Sequence, residues 1–147
     1  MAQAIALARQ AEAEDEVPVG ALLVCDGKAL AEGRNQRERA GRTLGHAELI
    51  ALEHYNQKSK SWRLPEGATL FVTVEPCLMC TGAMISARVS AICFGCADTR
   101  NAGLSRVRPL IEEGVFDHRF ATIVEGVRKE ECSRLLSDYF RKKRGAL

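Results

Sequence analysis

The chain has 147 residues, 46% hydrophobic and 27% charged, with a formal net charge of +2. That composition suits a single soluble globular domain over 1–147 with a real core, and a chain of this size does not need its six cysteines as disulfides. No apolar run approaches the about 20 residues of a membrane span, and the acidic Glu12, Glu14, Asp15 and Glu16 follow a start without a signal-peptide pattern, so a cytoplasmic setting with no membrane partner is expected.

Ala2 to Glu14 is rich in alanine, with Ile5 and Leu7, and is predicted to form a helix that Pro18 and Gly20 end. Val19–Cys25 and Lys28–Glu32 are strand-like runs joined by Asp26-Gly27, which favours a two-residue hairpin turn and hence an antiparallel pair. Residues 33–45 are polar, arginine-rich and without apolar periodicity, and are expected to form a loop carrying Asn35. A helix is expected from His46, through Leu49, Ile50 and Leu52, ending before Pro65-Glu66-Gly67. Ala68–Val74 reads as a buried strand whose carboxyl end leads into Pro76-Cys77, and such ends are where open α/β sheets bind ligands. Cys77–Arg88 is apolar on most sides and predicts a deeply buried helix. Ser90–Gly95 follows as a strand, Asp98–Gly103 as a loop, Leu104–Glu113 as a helix and Phe120–Val124 as a last strand. In the closing helix Cys132, Leu135, Leu136, Tyr139 and Phe140 fall at i, i+3, i+4, i+7 and i+8, an apolar stripe that should hold it down. The alternation predicts an α/β fold, a mixed sheet of about five strands with helices on both faces.

Charge is unevenly placed. From Arg128 to Arg144 seven basic residues stand against three acidic ones. By default this is a solvated helix end favoured by the helix dipole; with Tyr139 and Phe140 beside it for stacking, RNA contact is the preferred reading. A second basic run, Arg34, Arg37, Arg39 and Arg42, precedes His46.

The chemistry is concentrated in His46-Ala47-Glu48 and Pro76-Cys77-Leu78-Met79-Cys80. One imidazole and two thiolates make three protein ligands, the number a catalytic zinc uses when its fourth position is left open. Cys77 and Cys80, three apart at a helix start, share one face, and the positive end of the helix dipole favours their thiolates. A two-residue step inside a helix turns a side chain by about 200°, so His46 and Glu48 can face one metal only where the helix begins. Two helix starts are therefore expected to converge, with Glu48 placed to move protons between a water and a substrate. Cys93 and Cys96 repeat the C-x-x-C spacing, but a four-cysteine ribbon leaves His46 and Glu48 unexplained. Cys93, inside an apolar strand run, reads as a small buried apolar residue, and Cys25 and Cys132 read as core.

H-x-E followed by P-C-x-x-C is the established signature of the zinc nucleobase deaminases, and this chain matches it. On these motifs, together with Val17-Pro18-Val19-Gly20-Ala21, Glu32-Gly33-Arg34-Asn35, the run from Ala68 to Glu75, Phe94-Gly95 with Asp98, and the run from Leu135 to Arg141, the chain resembles the bacterial tRNA-specific adenosine deaminases of the cytidine/deoxycytidylate deaminase superfamily, nearly end to end. The resemblance implies a three-layer α-β-α cytidine-deaminase-like fold, Zn2+ held by His46, Cys77 and Cys80, and Glu48 as proton shuttle. It implies that Asn35, Val17 and the Ala47 backbone meet the flipped nucleoside, and that Asp98, Tyr139, Phe140 and Arg141 complete the contacts to a tRNA anticodon stem-loop. It also implies a homodimer that converts the wobble adenosine to inosine. Two other readings stay open at this point: a deaminase of free guanine or cytosine, and a non-catalytic nucleic-acid-binding module with a structural zinc, which has no use for Glu48.

Overall fold

The computed structural model describes residues 1–145. Positions 146 and 147, the last two of the expected domain, lie outside the described residues. In chain order the elements are α1 (Ala2–Ala13), β1 (Gly20–Cys25), β2 (Lys28–Arg34), α2 (Arg37–Ala40), α3 (Ala47–Ser59), β3 (Thr69–Val74), α4 (Leu78–Ser86), β4 (Ala91–Cys96), α5 (Leu104–Glu113), β5 (Thr122–Glu125) and α6 (Lys129–Gly145). The five strands form one mixed sheet in the order β2-β1-β3-β4-β5, with β1 antiparallel to both its neighbours and β3, β4 and β5 parallel.

The hairpin turns over Asp26-Gly27, both at positive φ (49° and 71°), the combination a two-residue turn requires. Its register pairs Gly20 with Arg34 and Ala21 with Gly33. A Cβ at Gly33 would collide with the Ala47 carbonyl of α3, and one at Gly20 with the Ala4 carbonyl of α1. Since Ala21 and Gly33 share a face and Gly20 lies on the other, α1 and α3 cover opposite faces of the sheet. On the α3 side Ala51, Leu52, Met84, Ile85, Leu104 and Ile111 of three helices pack with Leu23, Leu70, Val72, Ile92 and Phe94. On the α1 side α6 lies against the sheet with Cys132 beside Gly95. The α/β three-layer architecture expected from the sequence is the one observed.

Four expectations are corrected. The stretch 33–45 is not all loop: β2 continues to Arg34 and a four-residue helix, α2, follows. Its backbone is capped from far away in the chain by Glu16, whose carboxylate accepts from the N–H groups of Glu38 (3.1 Å) and Arg39 (2.7 Å). The last strand begins at Thr122, where its register with Ala91 starts, and not at Phe120. Helix α4 is buried on one side only: Leu78 is 64% exposed, and Gly82 and Ser86, each one turn further on, are exposed with it. In α6 the stripe divides between neighbours about 100° apart on the helix, so that Tyr139 is 7% exposed and Phe140 38%. Cys25, Cys93 and Cys132 are buried, as expected, and Cys96 is buried with them.

Candidate active site

The two helix starts meet. His46 is the N-cap of α3 (φ −79°, ψ 143°) and Cys77 that of α4 (φ −70°, ψ 173°), both extended, and neither side chain is spent on capping its own helix. His46 Nδ1 stands 3.6 Å from Cys77 Sγ and 3.6 Å from Cys80 Sγ, and the three ligand atoms lie within 4.8 Å of one another. A tetrahedral zinc, with Zn–S of about 2.3 Å and Zn–N of about 2.0–2.1 Å, separates nitrogen from sulfur by about 3.6 Å. Donor type and spacing therefore both fit zinc. Among the described residues this is the one group of three or more metal-capable side chains; Cys93 and Cys96 do not form a second.

The electrostatics follow from burial. Cys77 is drawn down to about 4, first by the Cys80 thiol donating to it and then by His46. Cys80 is pushed up by that same pairing and by burial. The two thiols thus compete for one proton, which a cation bound between them displaces. His46 is held above its ordinary value, chiefly by its contact with Cys77. Glu48, 4% exposed, is raised from 4.5 to about 7, mainly because burial penalises its charged form. A carboxyl poised near neutral pH is suited to taking up and returning protons.

His46, Glu48 and Cys77 share a cavity of about 470 Å³. Val17, Val19 and Val74 give it an apolar lining, Asn35, Arg37 and Glu38 line it from the segment that follows β2, Asp98, Arg100 and Asn101 form the wall contributed by the loop after β4, and Leu136 and Phe140 of α6 line it as well. Of the expected substrate contacts, Val17, Asn35, Ala47, Asp98 and Phe140 line this cavity. Tyr139 and Arg141 do not: the Tyr139 hydroxyl donates to the Asp15 carbonyl (3.0 Å), and Arg141 pairs with Asp138 (2.8 Å). The basic end of α6 is also partly neutralised, since Lys142 pairs with Glu12 and Lys143 with Asp15. A groove of about 620 Å³ between α1 and α6 mixes Arg9, Arg128, Arg134 and Lys142 with four carboxylates and holds none of the metal-capable cluster.

Two buried carboxylates escape a reading of the sequence. Glu16 is one of four acidic residues in a row of five, with nothing to mark it; besides capping α2, it is the acceptor nearest the Asn35 amide (3.5 Å). Glu75 does carry a signal, an acid at the end of an apolar strand directly before Pro76. Its carboxylate accepts from the N–H groups of Ser105 (2.8 Å) and Asp98 (3.4 Å).

Residues 1–96 match the family described as the cytidine and deoxycytidylate deaminase zinc-binding region. The chain is 42% identical over 144 residues to a tRNA-specific adenosine deaminase of Bacillus subtilis, covering 98% of this chain and 88% of the relative. A protein of the same name from Haemophilus influenzae is 37% identical, with 98% and 83% covered. Among solved structures, one from studies of A-to-I editing by tRNA:A34 deaminases superposes with a TM-score of 0.83 at 31% identity, covering 90% of this chain and 95% of that one. A guanine deaminase from Bacillus subtilis superposes less fully, with a TM-score of 0.64 at 27% identity, covering 73% of this chain and 71% of that one. Signature, fold and relatives agree: the chain belongs to the cytidine and deoxycytidylate deaminase family, on its tRNA-specific adenosine deaminase branch.

Proposed function

We propose that this protein is a zinc-dependent hydrolytic deaminase that converts adenosine to inosine at the wobble position of a tRNA anticodon stem-loop, as a homodimer in the cytoplasm. The observation that carries the reading is the placement of the buried Glu48 carboxyl in the same cavity as His46 and Cys77, within reach of whatever the cluster holds. The names of the relatives support the nucleic-acid substrate.

His46, Cys77 and Cys80 are the residues that would hold zinc, which when bound would supply Lewis acidity to activate a water for attack. Glu48 is placed to take a proton from the attacking water and deliver it to N1 of the adenine, and then to carry the proton of the hydroxyl added at C6 to the departing amino group. A C6–O bond forms, the C6–N bond breaks and ammonia leaves. Asn35 and the Ala47 backbone offer hydrogen-bonding groups to the nucleoside, while Val17 packs by the base. Phe140 offers the exposed aromatic surface on which a neighbouring base can stack, a role for which the buried Tyr139 is not available. Arg141 stays on the outer surface, where one of its nitrogens pairs with Asp138 and its remaining N–H donors are open to a phosphate.

The test is a parallel assay of purified protein on an unmodified stem-loop carrying a wobble adenosine and on free guanine, cytosine and adenosine. Inosine at the wobble position with little turnover of free bases is expected. Turnover confined to free bases would overturn the substrate assignment in favour of a free-base deaminase.

A further inference from the structure

Glu75 is 4% exposed, lines the cavity, and has no part in the chemistry proposed above. Both of its oxygens are occupied by backbone donors from one neighbouring segment. Oε1 accepts from Ser105, the second residue of α5, whose own N-cap, Gly103, brings no side-chain acceptor. Oε2 accepts from Asp98, where the loop to α5 begins. The next link is inside the loop, because Asp98 Oδ1 accepts from the N–H groups of Arg100 and Asn101 (2.9 Å each). The far end is tied to the following residue: the Pro76 carbonyl accepts from Gly103 and Leu104 (3.1 Å each), and a Cβ at Gly103 would collide with the backbone of Leu78. The cavity wall formed by Asp98, Arg100 and Asn101 is therefore strapped at both ends to Glu75-Pro76, the two residues that lead into Cys77.

We propose that Glu75 is a positioning residue of the active site, fixing the 98–103 wall at a set distance from the metal cluster and so setting how the nucleoside is seated. The inference rests on the deaminase reading for its kinetic consequence, though not for its structural one. An apolar residue in this place would take away the acceptor of both N–H groups, and a glutamine would turn a donor toward one of them.

Glu75→Gln keeps the shape of the side chain and is compared with wild type in the zinc-loaded protein. Zinc content is expected to stay at the wild-type level. Amide hydrogen exchange should accelerate by about tenfold or more at Asp98, Arg100, Asn101 and Ser105 while the β1 and β3 amides keep their protection. kcat/KM on the stem-loop should fall by about 10- to 100-fold, the scale of a small misplacement of a substrate-seating element. Asp98→Ala, at a partly exposed loop position, cuts the next link of the strap and should give the same local exchange at Arg100 and Asn101 should Glu75→Gln fail to fold. Unchanged exchange at these amides in the folded variant would overturn the proposal, as would wild-type kcat/KM. Unchanged exchange with lost activity would overturn positioning in favour of a direct chemical role. A wild-type protein inactive on the stem-loop overturns the substrate assignment instead, and the exchange experiment still decides on the strap.

Discussion

Glu48 should make the stability of the metal-free protein depend on pH in a way that Glu48→Gln abolishes. The carboxyl is nearly sealed from solvent, and burial raises it from 4.5 to about 7, with the neighbouring Cys77 adding to the rise and the backbone N–H and His46 opposing it. For an acid held above its unfolded value, the folded protein binds the proton more tightly. Its contribution to stability is then complete below pH 4.5 and is lost as pH rises through about 7. At about 1.4 kcal/mol per unit, the window is worth about 3 kcal/mol. Glutamine does not titrate, so the stability of Glu48→Gln relative to wild type should climb by about that amount across the window. The assay is urea unfolding of chelator-stripped wild type and variant at a series of pH values, read as the difference between them so that titrations common to both cancel. A difference that stays flat, or that falls with rising pH, would refute the claim that burial governs this carboxyl.

Metal analysis of purified protein should give about one zinc per chain, and Cys77→Ala should lose it while Cys93→Ser retains it. Glu16→Ala removes the acceptor for two α2 N–H groups and the Asn35 amide. It should cost about 2–4 kcal/mol, a drop in Tm of about 5–15 °C for a chain of this size, measured by calorimetry with zinc content unchanged. Replacing Arg141, Lys142, Lys143 and Arg144 by alanine should weaken stem-loop binding and flatten its dependence on salt, measured by titration at several ionic strengths. Because Lys142 and Lys143 are partly committed to Glu12 and Asp15, the loss should be smaller than four free cations would give.

The residues whose chemistry depends on local spacing are legible in the sequence. His46 and Glu48 can share a site only at a helix start, Cys77 and Cys80 share a face by their spacing of three, and the structure has both N-caps in extended conformation. Asp26-Gly27 likewise marks its hairpin, since the turn needs residues that tolerate positive φ. What stays hidden depends on partners distant in the chain. Helix α2 has no apolar face to betray it and is capped by Glu16, more than twenty residues earlier. Periodicity places Tyr139 and Phe140 on one stripe, but does not tell which of two adjacent residues turns inward to the Asp15 carbonyl and which stays exposed and lines the cavity. The basic run of α6 looks free in the sequence because its carboxylate partners on and just after α1 lie about 130 residues away.

The division of labour between the cluster and Glu48 is tested most directly by Glu48→Ala, with zinc content and inosine formation in the stem-loop measured on the same preparation. Zinc retained at the wild-type level, with deamination reduced by at least about 10²- to 10⁴-fold, is the expected result. Near-normal inosine formation by the variant would contradict the proton-shuttle role, and loss of zinc together with activity would show that Glu48 instead supports the metal site.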